Sequence, residues 1–410
     1  MSKENEERLN ITVKSNTKDL FAFTKLLPSR EKRIERASSE PITEDLITDL
    51  ARKLHPERQF LVIDEIKEET KSTKTFKLVP DPDSKTRELA YFRPGQYLSL
   101  KVELAGVRIT RPYSIASPPK DALRGFYEVT IRKEEEGFLT HFIWDNWKVG
   151  TKVESSGPEG FFYFERLRDL TQIVGIAGGS GITPFRSIAK AIINGTIDAQ
   201  LTLLYGSSEE DDIIFYDEFN AMEKDYPDRI KIVHILSCEV VSLKNCETGF
   251  ITKEIIEKYC DVDSSAFFIC GPQVMYNFVE KELGKFNLPV KRIRREAFGE
   301  VKDILTQPDF PQDVAAKTFK IKVHIGDLTK EIPAIATESV LIALERANLN
   351  PPSKCRSGEC GFCRTHLIDG DVYINPVSDW RKGADKKFNY FHPCASYPIT
   401  NLEIKIPREI

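Results

Sequence analysis

The sequence predicts a multidomain chain: an antiparallel β-barrel, an α/β domain with a parallel sheet and a smaller α+β domain, preceded by a charged helical extension. Three observations carry this. Short strand-like runs, punctuated by Gly and Pro, crowd residues 58–165. Apolar runs alternate with helical stretches over 166–300, the pattern of a parallel sheet. From 318 a strand pair, a short helix and a cysteine-rich loop follow. Residues 301–317, centred on Gln307-Pro-Asp-Phe-Pro-Gln, read as a linker.

Taken in order, residues 1–57 are highly charged, and one helix is expected from Thr43 to Leu54. Thr43 suits an N-cap, with acidic Glu44 and Asp45 in the first turn. Leu46, Ile47, Leu50, Ala51 and Leu54 then form one apolar stripe, and His55-Pro56 ends the helix. The stripe either packs on the chain's own body or serves docking or dimerisation. The barrel strands are Phe60-Leu-Val-Ile, Lys74-Thr-Phe-Lys-Leu-Val, Tyr97-Leu-Ser-Leu-Lys-Val and Tyr127-Glu-Val-Thr-Ile-Arg, with Pro94-Gly95 and Gly157-Pro158 between runs. The α/β strands are Ile173-Val-Gly-Ile-Ala, Leu201-Thr-Leu-Leu-Tyr, Ile230-Lys-Ile-Val-His-Ile-Leu and Ala266-Phe-Phe-Ile-Cys. In the last domain, 318–410, Phe319–Ile325 begins a strand pair, Ser339–Ala347 is helical and Leu402-Glu-Ile-Lys-Ile is a final strand.

Composition narrows the function. With 410 residues and 40% hydrophobic content, several packed cores are possible. A net charge of −4 points away from nucleic acid. There is no run of eighteen apolar residues, so no membrane-spanning helix is expected. The charged run Met1–Arg8 has no apolar stretch of the secretory type, and a cytoplasmic location is expected. Four of the eight cysteines (Cys238, Cys246, Cys260, Cys270) then read as reduced thiols.

The other four are the strongest signal. Cys355, Cys360 and Cys363 follow C-x4-C-x2-C spacing, and Cys394 comes after thirty intervening residues. This is the plant-type pattern for a [2Fe–2S] cluster. The small residues Ser357, Gly358 and Gly361 let backbone N–H groups approach the sulfurs. A structural zinc site is the alternative, but such sites usually pair two short knuckles and here there is no second C-x2-C.

Three further motifs bear on cofactors. Phe92-Arg-Pro-Gly-Gln-Tyr and Arg111-Pro-Tyr-Ser-Ile-Ala-Ser resemble the flavin-binding signature of the ferredoxin–NADP reductase family. An arginine can fork onto a phosphate, and a tyrosine ring can lie against the flavin. The resemblance implies Arg111 on the flavin phosphate, Tyr113 against the ring, Ser114 near N5 and Pro112 between them. Gly137-Phe-Leu-Thr-His stands where the family puts a second phosphate-binding turn. Gly137, Leu139 and Thr140 are carried over, with Thr140 in place of the commoner serine. Gly157-Pro-Glu-Gly-Phe-Phe resembles the barrel-closing segment of FAD-binding members and favours FAD over FMN.

Ala177-Gly-Gly-Ser-Gly-Ile-Thr-Pro-Phe follows an apolar strand and opens a helix. Glycines admit a pyrophosphate, and the helix start supplies partial positive charge. The resemblance implies nicotinamide nucleotide binding by Gly178, Gly179, Gly181, Ile182, Thr183 and Pro184. Cys270-Gly-Pro resembles the segment that places a cysteine beside nicotinamide and flavin N5, so Cys270, Gly271 and Pro272 are carried over. Arg295-Glu-Ala-Phe-Gly resembles the closing segment, which implies Glu296 and Phe298 near the flavin face. NADP-specific relatives carry a Ser-x-Arg-type group after the strand matching Ile232–Leu236. Here the run is Ser237-Cys238-Glu239, which favours NADH over NADPH.

The domain order is similar to that of phthalate dioxygenase, phenylacetyl-CoA epoxidase and hybrid-cluster-protein reductases. It implies a flavin barrel, a nicotinamide domain and a β-grasp ferredoxin domain. The implied path runs from NADH through FAD to the cluster, and then to a separate terminal oxygenase or other redox protein. Two alternatives are a self-contained reductase of small acceptors and a non-enzymatic ferredoxin-like carrier or redox sensor. The basic-leaning run Asp379–Phe388 reads as a partner-facing loop or as a solvated face.

Overall fold

The structure is a computed structural model that describes residues 17–37, 39, 45–104, 106–135, 137–237, 243, 246–296, 299–301, 303–307 and 309–407. Two compact units are present, 1–50 and 51–410. Helix α1 (Thr17–Glu35) was not anticipated, because Pro28 and scattered charges interrupt its pattern. Helix α2 (Leu46–Leu54) matches the expected one, while Thr43 and Glu44 lie outside the described residues. Its start is capped by Asp45, whose carboxylate accepts from the N–H groups of Ile47 and Thr48 at 3.2 Å each. No residue of α2 is buried, and Leu46, Ile47 and Leu50 are 75, 81 and 56% exposed.

The barrel comprises β1 (Gln59–Thr70), β2 (Thr73–Pro80), β3 (Tyr97–Leu104), β4 (Val107–Ser114), β5 (Tyr127–Arg132) and β6 (Lys152–Ser155), with α3 (Pro119–Leu123) and α4 (Phe138–Asn146) between strands. The antiparallel sheet runs β4-β3-β6-β1-β2-β5. Its edge strands meet at an Ile115–Val129 bridge, which closes the sheet on itself. Alternation puts Leu61, Ile63, Leu98, Leu100 and Ile131 into one core.

The α/β domain comprises β7 (Gln172–Gly178), α5 (Thr183–Ile193), β8 (Gln200–Ser207), α6 (Tyr216–Asp225), β9 (Ile230–Leu236), β10 (Cys246–Thr248), α7 (Lys253–Tyr259), β11 (Ser265–Cys270), α8 (Gln273–Gly284) and β12 (Ile293–Glu296). The parallel order is β10-β9-β8-β7-β11-β12. From β7 the chain steps outward to β10 and then returns to β11 on the other side. The β7–β11 boundary is therefore a switch point, where such sheets bind ligands. Helices cover both faces, and every residue of β11 is buried, which explains its unbroken apolar run.

The ferredoxin domain comprises β13 (Thr318–Ile325), β14 (Leu328–Ile335), α9 (Val340–Arg346), β15 (Thr365–Asp369), β16 (Val372–Ile374), α10 (Gly383–Lys387), β17 (Tyr390–Phe391), β18 (Ser396–Pro398) and β19 (Leu402–Ile406). Its mixed sheet runs β14-β13-β19-β15-β17, with β13 and β19 parallel, and β16 pairs with β18 beside it. Ser339 caps α9, its Oγ accepting from the Ile342 N–H at 3.2 Å.

The expected linker corrects to a packed strap. Residues 304–306 and 312–314 form short 3₁₀ turns, and Ile304, Phe310 and Val314 are buried against Tyr373 and Tyr397. The Phe310 and Tyr373 rings meet edge to face at 5.2 Å. The Pro-rich composition concealed this because the three apolar side chains follow no regular period. Phe310→Ala is expected to cost about 3–5 kcal/mol of unfolding free energy. Urea denaturation of the intact protein measures it, and a loss below about 1 kcal/mol would show that the strap adds little to the fold.

Candidate active site

A cavity of about 440 Å³ opens at the C-terminal ends of β7, β8, β9 and β11. Gly178, Gly179, Ser237 and Pro272 are among the residues that line it. The glycines are required sterically. A Cβ on Gly178 would lie 2.5 Å from Met275 Sδ and 3.0 Å from Pro272 Cδ, and one on Gly181 would collide with the Cys270 carbonyl. Gly179 adopts φ +51°, and a 3₁₀ turn through Ile182 leads into α5, where Thr183 and Pro184 begin the helix. The loop thus seats itself against the Cys270-Gly271 turn and leaves its backbone facing the cavity. This cradle suits a dinucleotide.

Strand register supplies the next group. Cys270 pairs with Ala177 on one side and with Glu296 on the other. Both Cys270 and Glu296 are buried. Burial, reinforced by the neighbouring Glu296 carboxyl, raises the Cys270 thiol well above its ordinary range. Burial, with Glu359 and Cys355 nearby, likewise raises Glu296. Both groups are pushed toward their neutral forms. Tyr276 ties the corner, donating to the Glu296 backbone carbonyl and accepting from the Gly271 N–H at 3.3 Å. Phe298, Cys238 and Glu239 lie outside the described residues.

The flavin signature falls on β4, an edge strand of the barrel. Arg111 and Tyr113 share one face, and Pro112 and Ser114 share the other. The Arg111 guanidinium is largely buried, bonds the Thr110 carbonyl at 3.0 Å and has no ion pair among the described residues. Burial, together with the Arg356 charge nearby, lowers its pKa. Tyr113 rests against the barrel core, and burial raises its phenol to about 12. Among the described residues Ser114 Oγ is buried without a hydrogen-bond partner. A guanidinium that makes no direct ion pair among those residues, with Glu345 and Glu300 acting on it from further off, and an unpartnered hydroxyl fit a flavin with its phosphate. At the second turn, Gly137 is the N-cap of α4 and Leu139 is buried. Thr140 Oγ1 accepts from the Glu134 N–H at 3.1 Å and donates to the Gly137 carbonyl at 2.8 Å. Its hydroxyl braces the turn, which leaves the free N–H groups of the helix start for an anion.

In the third domain the four thiols converge. Cys355 meets both Cys360 and Cys394, and Cys363 Sγ lies 3.4 Å from Cys394 Sγ. The N–H groups of Ser357 and Cys360 point at Cys355 Sγ (3.5 and 3.4 Å), and that of Phe362 points at Cys360 Sγ (3.4 Å). Gly358 and Gly361 take φ +83° and +66° to allow this. Two thiolates per iron is the demand of a [2Fe–2S] centre. Cys360 is exposed, and the other three are buried.

These sites meet at Tyr97. It pairs with Ser114 across β3 and β4, and its ring lies 2.9 Å from where a Gly160 Cβ would stand, with a Glu296 oxygen 3.8 Å from the same point. A cleft of about 340 Å³ is lined by Tyr97, Glu159 and Gly160 on the barrel side and by Lys354, Glu359 and Cys360 on the other. Sequence reasoning missed Arg132. It ends β5 in the barrel yet enters the cavity of the α/β domain, where its Nη1 stands 2.9 Å from a Gly179 Cβ position and its Nη2 pairs with Asp212. Only the fold brings these segments together.

Three family models match the chain: an oxidoreductase FAD-binding domain over residues 61–164, an oxidoreductase NAD-binding domain over 176–281 and a 2Fe-2S iron-sulfur cluster binding domain over 323–398. The chain is 30% identical over 326 residues to the ferredoxin reductase component of a 3-ketosteroid-9-alpha-monooxygenase from Mycobacterium tuberculosis, covering 78% of this chain and 86% of that one. It is 27% identical over 352 residues to a component of the 1,2-phenylacetyl-CoA epoxidase of Escherichia coli (83% and 95% covered). The fold matches a solved phthalate dioxygenase reductase with TM-score 0.60 at 23% identity, covering 86% of this chain and 98% of that one.

Two outcomes test this geometry. Cys355→Ser is expected to lose bound iron, acid-labile sulfide and the cluster's electron paramagnetic resonance signal while keeping the flavin. Full iron content in that variant would overturn the ligand assignment. Arg132→Ala is expected to raise the KM for NADH by roughly tenfold or more, the scale of a lost charge-assisted hydrogen bond, with little change in kcat. An unchanged KM would remove Arg132 from the coenzyme site.

Proposed function

Because the chain belongs to the ferredoxin reductase family, with FAD-, NAD- and [2Fe–2S]-binding domains in one polypeptide, we propose that it is the NADH-dependent reductase component of a system with a separate terminal oxygenase or related redox enzyme. The observation that carries this reading is the exposed Cys360, which stands across a cleft from Tyr97 beside the flavin strand. When bound, the flavin and the cluster convert hydride chemistry into single-electron transfer. The chain's own residues orient and insulate that exchange. The glycine loop seats the coenzyme, Arg132 meets its pyrophosphate, and Arg111 and Ser114 anchor the flavin. Cys270 and Glu296, which burial pushes toward their neutral forms, would line the edge where the nicotinamide meets the flavin.

Ser237-Cys238-Glu239 provides no arginine for a 2′-phosphate, so NADH is the preferred donor. A cytoplasmic setting suits a reduced cluster and free thiols. Among the described residues no helix is long and apolar enough to cross a membrane. The exposed stripe of α2 supports docking or dimerisation by the N-terminal extension.

The test is NADH oxidation by the reconstituted protein with and without a co-purified acceptor. Turnover is expected to rise with the acceptor and to fall back to the basal level in Cys355→Ser. Rapid reduction of a natural small acceptor, unaffected by loss of the cluster, would sink the two-component reading. A tenfold preference for NADPH would sink the coenzyme assignment.

A further inference from the structure

The first cluster ligand, Cys355, is bracketed by two cations that reach into different domains. Lys354 forms an ion pair with Glu159 of the barrel's closing segment. Arg356, with its side chain only 1% exposed, pairs at 2.5 Å with Glu345 of α9 and at 2.5 Å with Glu300. Glu300 belongs to the segment leaving β12 of the α/β domain, and its second oxygen accepts from Ser339 Oγ, the α9 cap, at 2.7 Å. Arg356 also sits at φ +59°, a left-handed backbone that a non-glycine residue seldom adopts. That backbone turns the two neighbours of Cys355 toward two different domains.

We infer that Lys354–Glu159 and Arg356–Glu300 are positioning pairs that register the cluster loop against the flavin barrel and the α/β domain. The Arg356–Glu345 pair is internal to the ferredoxin domain and shapes the loop, whereas the other two cross domain boundaries. Burying such pairs seldom adds net stability, so stability alone does not account for them. Their geometry fixes orientation: the planar Arg356 guanidinium bridges Glu345 within the domain and Glu300 outside it, and the lysine pair on the opposite side of Cys355 limits the remaining rotation. The step they serve moves one electron from reduced flavin to the oxidised cluster, with no bond made or broken. The flavin is recharged by NADH. This inference deepens the proposed function at its internal step and rests on that electron path, not on the identity of the acceptor.

The experiment compares the holoenzyme with Glu300→Gln, Glu159→Gln and the double variant. Each substitution keeps the side chain's shape and removes its charge. In single turnover with NADH, flavin bleaching is expected at the wild-type rate, which reports the coenzyme step separately. Cluster reduction is expected to slow by roughly tenfold in each single variant, the effect of losing one charge-assisted contact, and further in the double. The cluster's resonance signal, iron content and midpoint potential are expected to match wild type. Small-angle X-ray scattering is expected to show a larger radius of gyration in the double variant. Glu345→Gln serves as the internal control and is expected to leave scattering unchanged. Wild-type cluster reduction and scattering in the double variant would overturn the inference. Loss of iron in both single variants would overturn it as well, because the pairs would then build the loop rather than register it.

Discussion

The parallel pairing of β7, β11 and β12 sets Ala177, Cys270 and Glu296 in one row, and the meeting of the three domains depends on that row. The glycine loop follows Ala177 and packs on the Cys270-Gly271 turn, so coenzyme seat and reacting edge form one rigid piece. Glu296 carries the row outward to Gly160 and Tyr97, where the barrel begins. A slip of one residue in β12 would turn Glu296 away from this corner, because successive side chains along a strand alternate faces. Backbone hydrogen bonds from the fully buried β11 hold Cys270 in line with Ala177 and with the buried end of the edge strand β12 at Glu296.

Electrostatically, the junction is divided. Around Cys270 and Glu296, burial favours the neutral forms of both side chains. Around Cys355, charges are dense but paired: Lys354 with Glu159, Arg356 with Glu345 and Glu300. The two regions are only a few residues apart through Tyr97. Neutral side chains at the hydride site and a charged, fixed cluster loop suit a transfer in which the first step moves a bound pair of electrons and the second moves single ones.

Much of this was legible in the sequence where function is local. The cysteine spacing, the glycine loop and the Arg111–Ser114 strand each place their chemistry within a few consecutive residues, and the fold leaves them contiguous. Cys270 and Glu296 were singled out separately, and their shared register could not be read from spacing. Arg132 was not legible, because it acts on a cavity built by another domain. Lys354 and Arg356 looked like ordinary loop cations beside the cysteines. Their partners, Glu159 and Glu300, lie 195 and 56 residues away. The strap hid its packed character because Ile304, Phe310 and Val314 follow neither helical nor strand period. Side chains that bury themselves one at a time leave no rhythm to detect.

That strap has a consequence for how the protein meets its acceptor. Many redox systems tether a carrier domain on a loose linker, so that it swings between donor and acceptor. Here Phe310 packs on Tyr373 and Tyr397 of the same domain that carries the cysteines, so most of the connection belongs to that domain and little loose chain is left. A short connection limits how far the cluster can swing, so the acceptor comes to it. Delivery then follows the kinetics of bimolecular encounter. It scales with acceptor concentration and responds to salt through the charges facing solvent around Cys360.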